Sequence, residues 1–324
     1  MLLAGDVGGT NTRLGLFERL PDRPRLIGAR VFSTLAYQDL SAIISAFASD
    51  EAMQGAKVEA ACFGVAGPVA GDTAELTNVR WHVDVRQVAK RFDIPRVRLL
   101  NDLQAMAQAI PVLRASEVHV LQEGTAEGPG NIALIAAGTG LGEAWLHNVG
   151  GRFIPSASEG GHADFAARTE REIDVLRDLI QRFGRAEVES VVSGPGLVNL
   201  HRVTHVAPCR AVHESDAPDA PAAISASALE GRCPACLEAL ELFVDAYGAE
   251  AGNLALRSLA TGGVFVGGGI APKILPAVAD GRFMRAFCDK SARFRDMLSR
   301  IPVKVILDDE AGLLGAAVCA ASLT

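Results

Sequence analysis

The chain has 324 residues, 49% hydrophobic and 21% charged, so it is long enough for two domains and too apolar for a disordered one. A formal net charge of −7 argues against nucleic acid or an anionic membrane as the main partner, so an anionic ligand must be held by local dipoles and a metal ion. No apolar run reaches membrane-span length, MLLAGD lacks the basic start of a signal peptide, and six scattered cysteines fit a reducing cytoplasm better than a disulfide framework.

In chain order, Leu2–Ala4, Thr12–Phe17 and Leu26–Ser33 are expected as three antiparallel strands. Asp39 to Ala52 carries helical apolar spacing, and VEAACFGVAGPV is a buried strand stopped by Gly67-Pro68. VDVRQVAKRF predicts a short amphipathic helix, RVRLLND a strand and LQAMAQAIPVL a helix directly after it. NIALIAAGTGLGEAWLHN is again strand, glycine turn, strand, with RFIPSA as a third. Helices follow in TEREIDVLRDLIQRF, GPGLVNLHRV and CLEALELFVDAYGAEAGNLALRSL, then a strand in GGVFVGGGI, a strand in PVKVIL and a closing helix in AGLLGAAVCAASL. APCRAVHESDAPDAPAAIS is expected as a surface loop.

The plan occurs twice, each copy opened by a glycine-bearing hairpin. The expectation is an α/β protein of two like domains facing a cleft, a small one over residues 1–112 plus 308–324 and a large one over 113–307.

The glycine turns suit anions. Successive N–H groups in a tight turn form an anion cradle, and Gly8 and Gly9 are expected to take positive φ and admit close approach. Thr10 and Asn11 add donors. Asp6 repels phosphate but can hold Mg²⁺ through water, so acid plus cradle points to a metal–triphosphate; an ordinary hairpin is the alternative. Gly138, Thr139 and Gly140 repeat the device. Gly267, Gly268 and Gly269 follow a strand, with Pro272 placed for a first helical turn, and could lie flat against a nucleotide or form a plain tight turn. None of these is a P-loop or a GxGxxG.

Asp102 ends the strand RVRLLND, where α/β sheets face their ligand crevice; it can orient an alcohol proton or simply cap the next helix, and Asn101 beside it has the same two readings. Glu159 and His162 in SEGGH suit neighbouring hydroxyls, although His162 could be a core histidine. Gly67-Pro68 and Asn78 are held as candidates for an opposite wall. In CPAC, Cys233 and Cys236 have half of a zinc set; no second pair is identified to complete four ligands, so they are expected to start a helix with Pro234 in its first turn.

GDVGGTNTRLGLF, LLNDLQAMAQAIP, AAGTGLG, SEGGHADFA, SGPGLVNL and GGVFVGGGIAPK, in that order from Leu3 to Ala316, together resemble the bacterial glucokinase family of the hexokinase–actin–Hsp70 (ribonuclease H-like) ATPase superfold. LLND with SEGGH is highly specific. The related ROK sugar kinases carry a cysteine-rich zinc motif after the histidine; HADFAARTERE has none, so the likeness is to the non-ROK group. The resemblance implies a homodimeric enzyme moving the γ-phosphoryl of MgATP to the 6-hydroxyl of glucose. It implies Asp102 as general base, Asn101, Asp102, Glu159, His162 and Glu189 around the sugar, with Glu187 a near competitor for Glu189. Gly5, Asp6, Val7, Gly8, Gly9, Thr10 and Asn11, with the two later glycine turns, would hold ATP. Domain closure on the sugar would exclude water as acceptor. Neither Cys233 nor Cys236 is then needed for transfer. The rivals are a kinase for another hexose, a sugar-sensing regulator, for which a strand beginning at Leu2 leaves no room for a DNA-binding segment, and an Hsp70-like ATPase, which would carry a client module.

Overall fold

The structure is a computed structural model describing residues 1–50, 55–76, 79, 81–125, 130–205, 209, 212 and 217–323. Strands β1 (Leu2–Val7), β2 (Asn11–Glu18) and β3 (Arg25–Ser33) lead to helix α1 (Leu40–Ala48), whose N-terminus is capped by Asp39 Oδ1 accepting from Ala42 N at 2.7 Å. β4 (Ala60–Val65), β5 (Val69–Ala70), β6 (Thr73–Glu75) and β7 (His82–Asp84) follow, then α2 (Val85–Phe92), β8 (Val97–Asn101) and α3 (Asp102–Ala109). β9 (Val118–Gln122), β10 (Ile132–Ala137), β11 (Leu141–Val149) and β12 (Arg152–Ser158) precede helices α4 (Glu170–Phe183), α5 (Gly194–Thr204), α6 (Ala220–Leu229) and α7 (Pro234–Ser258). β13 (Gly263–Gly267), α8 (Leu275–Val278), α9 (Arg282–Cys288), α10 (Ala292–Ser299), β14 (Val303–Ile306) and α11 (Ala311–Ser322) close the chain.

The fold is mixed α/β. Contacts group it into two compact units, one of 1–115, 155–157 and 308–324, the other of 116–154 and 158–307. The first unit has a sheet of order β3-β2-β1-β4-β8, antiparallel through β3-β2-β1 and parallel through β1-β4-β8. Side-chain alternation divides its core. Leu3, Leu14, Leu16, Ala61 and Phe63 pack with Ile43, Phe47 and Val88 of α1 and α2. Leu2, Ala4, Ala60 and Cys62 pack with Ala105 of α3 and Leu313, Ala316 and Ala320 of α11. A sheet covered on both faces explains why LLAGDV and AACFGV lack a polar alternation.

The second unit has a six-stranded sheet of order β12-β11-β10-β13-β14-β9. Ala133, Ile135, Val264, Val266, Val303 and Val305 build its core with Val175 of α4, Leu197 of α5 and Leu240, Phe243 and Tyr247 of α7.

Several expectations need correction. α6 begins at Ala220, inside the stretch expected to be a loop; its five alanines give the backbone high helix propensity without an apolar stripe. β9 joins β14 antiparallel as an edge strand, where VHVLQ alternates only weakly. Pro272 lies in a run of turns, and α8 starts at Leu275 with Pro276 in its first turn instead. Asn78 and much of the segment from 206 to 216 lie outside the described residues. Among the described residues no helix is long and apolar enough to cross a membrane.

Candidate functional site

In the first unit the β1–β2 hairpin carries the first glycine turn. Gly8 N donates to Asn11 O at 3.0 Å, and Thr34 Oγ1 donates to Gly8 O at 2.8 Å. Thr34's proton is thereby used, so Thr12 Oγ1 is the donor in the 2.9 Å contact between the two hydroxyls. Those bonds fix the turn and leave the N–H groups of Gly9 and Thr10 without a protein partner among the described residues. Neither Gly8 nor Gly9 has positive φ, contrary to expectation. Gly8 is needed for closeness instead: a Cβ there would stand 3.0 Å from Asn11 O.

Asp6 pairs with Arg13 across the hairpin. Burial raises its pKa, partly opposed by the Arg13 charge. Gly312, in the first turn of α11, gives the carboxylate room, since a Cβ there would approach Asp6 Oδ2 to 3.1 Å. A carboxylate given room by Gly312, on the strand that leads into a turn with two unpartnered N–H groups, fits a Mg²⁺ ion held through water.

β1, β4 and β8 run parallel, which brings Asp6 and the end of β8 to the same edge. Asn101 is the N-cap of α3: its Oδ1 accepts from Leu103 N at 3.0 Å, and Gln104 Oε1 accepts from Asn101 N at 3.2 Å. Asn101 Nδ2 reaches Gly67 O at 3.4 Å, which places Gly67 beside Asn101. Asp102 opens α3, and Leu103 N donates to its Oδ1 at 2.9 Å. Asn101 thus carries the capping box with Gln104, while Asp102 shares the Leu103 N–H through one oxygen and keeps further acceptor capacity for a ligand. Burial is the main cause that raises the Asp102 pKa to about 6; the Leu103 N–H opposes it and the nearby Asp6 charge adds to it.

In the second unit the turn between β10 and β11 is held at several points. Gly138 N donates to Gly140 O (2.8 Å), Gly194 N at the start of α5 donates to Gly138 O (2.9 Å), and Leu141 N donates to Glu189 Oε2 (2.7 Å). Thr139 and Gly140 keep N–H groups without a protein partner among the described residues, as Gly9 and Thr10 do in the first unit. β10 and β13 are parallel with Ala136 beside Gly267, so the third glycine run lies next to the second. Gly268 has φ +80°, and a Cβ on it would meet Ala137 O at 2.3 Å. Gly138 and Gly269 face open space.

Sequence reasoning passed over Tyr247, which lies buried beneath both turns. Ala137 N donates to its hydroxyl at 3.1 Å, and the hydroxyl donates toward Gly267 O at 3.3 Å. The only hint was an aromatic with a polar tip in the apolar face of α7.

The SEGGH segment forms a 3₁₀ turn, Gly160–His162. It runs beside residues 187–189: Val188 N donates to Ala163 O and Glu189 N to Gly161 O. His162 is 53% exposed, so it is not a core histidine, and its Nδ1 stands 2.8 Å from Glu187 Oε2. That hydrogen bond is the main cause of its raised pKa. The two competing glutamates thus have separate contacts: Glu187 holds the imidazole and Glu189 holds the glycine turn. Glu159 is exposed on the same segment.

The glucokinase family model matches residues 3–323. A glucokinase of Synechocystis sp. is 40% identical, with 98% of this chain and 97% of that protein aligned. The crystal structure of a glucokinase from an Antarctic psychrotroph superposes with a TM-score of 0.87 at 30% identity, covering 98% of each chain. A ROK family glucokinase of Streptomyces griseus shares the fold at a TM-score of 0.69 and 22% identity, with 98% of each chain covered.

Proposed function

Since the chain belongs to the glucokinase family, we propose that it transfers the γ-phosphoryl group of ATP to the 6-hydroxyl of glucose, with Asp102 as the general base. The observation that carries the assignment of Asp102 is its position: a half-buried carboxylate just past the end of β8, one oxygen of which takes the Leu103 N–H, with its pKa raised to about 6. A base works best when its pKa lies near the working pH, and Asp102 is mostly ionised at neutrality.

Asn101 and Asp102 supply the sugar contacts of the first unit. Glu159, His162 and Glu189 supply those of the second, with Glu187 orienting His162. The four unpartnered N–H groups of Gly9, Thr10, Thr139 and Gly140 take phosphate oxygens, and the open faces of Gly138 and Gly269 admit the nucleotide. Asp6 would hold a Mg²⁺ ion through water, and the bound ion would supply charge neutralisation on the nucleotide's phosphates. Asp102 accepts the proton of the 6-hydroxyl as the oxygen attacks in line. The chain's own part in the rate is positioning and preorganised N–H dipoles. This reading includes two domains, a homodimer and a reducing cytoplasm; no two of the six cysteines are joined by a disulfide.

The test is coupled phosphoryl transfer from MgATP to a panel of hexoses, with wild type beside Asp102→Ala. We expect turnover of glucose, and a loss of about 10²- to 10⁴-fold in kcat in the variant with glucose still bound. Free ATP hydrolysis with no transfer to any hexose would sink the sugar-site assignment.

A further inference from the structure

The CxxC at the start of α7 is not alone. His201 and His205 stand four residues apart in HRVTH at the end of α5, a pair the sequence reading passed over, and Cys209 lies four residues further on. Three thiols and one imidazole converge. Cys209 Sγ is 3.7 Å from Cys236 Sγ and 4.0 Å from Cys233 Sγ. His205 Nε2 is 3.4 Å from Cys233 Sγ and 3.9 Å from Cys236 Sγ. A tetrahedral zinc with Zn–S of about 2.3 Å and Zn–N of about 2.0 Å has edges of about 3.8 Å between sulfurs and about 3.6 Å between sulfur and nitrogen. The four separations scatter around those edges, and they are too long for a disulfide, whose sulfurs stand about 2.05 Å apart.

The imidazole is already oriented. His205 Nδ1 is 2.8 Å from His201 O and donates to it, so Nε2 carries the lone pair directed at the sulfurs. A carbonyl that fixes the tautomer in this way is the usual outer partner of a metal-bound histidine. Thr204 Oγ1, 3.1 Å from the same nitrogen, donates to Ala235 O within the CPAC turn and joins the two helix ends a second time. His201 packs its ring on His205 with centroids 3.7 Å apart, and its buried Nε2 has no hydrogen-bond partner among the described residues.

We propose that Cys209, Cys233, Cys236 and His205 bind one zinc ion. Soft thiolates with one imidazole in a tetrahedron select Zn²⁺ among the divalent metals, and a four-ligand set has no open position for chemistry. The site is structural: it pins the end of α5 and Cys209 to the start of α7. α5 spans about 16 Å, at 1.5 Å per residue, from the glycine turn at Gly138 to His205, which keeps the ion away from the phosphate cradle. The residues following His162, where ROK kinases carry their cysteines, contain none.

The test uses the full chain, purified under reducing conditions and passed over a desalting column after incubation with Zn²⁺. Metal is counted by mass spectrometry, and Co²⁺ substitution is read in the visible spectrum. We expect about one zinc per chain, the intense bands of tetrahedral thiolate-bound cobalt, and three of the six cysteines protected from a thiol reagent until a chelator is added. Cys209→Ser and His205→Gln should each lower retained zinc at least tenfold, and Cys288→Ser should leave it unchanged. The proposal is overturned if the wild-type chain retains no zinc and its thiols react equally with and without chelator. Retention of full zinc by Cys209→Ser overturns the ligand set. The wild-type measurements stand even where a variant fails to fold.

Discussion

At the scale of single residues, two carboxylates whose pKa is raised by desolvation predict opposite kinds of pH dependence. Asp102 must be ionised to accept a proton, so kcat/KM should rise about tenfold per pH unit below pH 6 and level off above it, as measured by initial rates at limiting glucose. A profile with no acid limb near 6 would remove Asp102 from the role of base. Glu143 acts on stability. Burial first, then the Glu250 charge, raises its pKa to about 8 against the opposing Arg257. The folded chain therefore keeps a proton that the unfolded chain releases above its ordinary value of 4.5. The contribution is fully present below pH 4.5 and is lost as pH rises through about 8. Glu143→Gln should flatten the fall in thermal midpoint between those limits. Asp102 and Asn101 also show what a sequence conceals at this scale. LLND names both residues, yet only the bonds show that Asn101 closes a capping box with Gln104 while Asp102 commits one oxygen to the Leu103 N–H.

At the scale of elements, glycine positions divide into those that pack and those that stay open. A Cβ on Gly315 of α11 would lie 1.6 Å from Ala105 O of α3, a contact that no rotamer relieves. Gly315→Ala should cost about 3 kcal/mol or more in chemical denaturation, because overpacking here moves backbone against backbone. Gly138 meets nothing within 4 Å and has no positive φ. Gly138→Ala should leave the denaturation midpoint in place and raise KM for ATP by tenfold or more, a loss of about 1.4 kcal/mol of binding. A variant that lowered stability without changing KM would show that the open face has no ligand. Strands and long helices were legible because their apolar periods were strong: β1, β2, β4, β10 and α4 lie where the spacing put them. The weakly patterned elements were not. α6 has alanine on every side, α9 and α10 follow one another with three buried residues and one, and β5 to β7 are two or three residues long.

For the whole molecule, the two sheets share one order: a three-stranded antiparallel run followed by parallel strands, with β9 added at one edge of the second. That repeat was readable because each copy opens with an apolar strand and a glycine turn. The supports were not readable, since Thr34, Tyr247 and Gly312 are distant in sequence from the turns they hold. Ligand linkage gives the corresponding prediction. Glucose at 100 times its Kd should add about 2.7 kcal/mol to stability. With about 2.1 cal/mol/K of unfolding entropy per residue over 324 residues, that raises the melting midpoint by roughly 4 °C. Galactose at the same concentration should give no shift, since a misplaced hydroxyl leaves buried polar groups unpaired. Equal shifts for both sugars would mean that the site does not discriminate among hexoses.

The unpartnered donors at Gly9, Thr10, Thr139 and Gly140 all belong to the main chain. A codon change does not delete a backbone N–H unless it introduces proline. The proposed phosphate grip is thus shielded from ordinary mutational drift, whereas the proposed sugar contacts reside in side chains that one nucleotide change can replace. Laboratory evolution of this chain toward a different sugar should therefore proceed through Asn101, Glu159 and His162, with the affinity for the nucleotide carried along unaltered, and should spare Glu189, which also holds the second glycine turn.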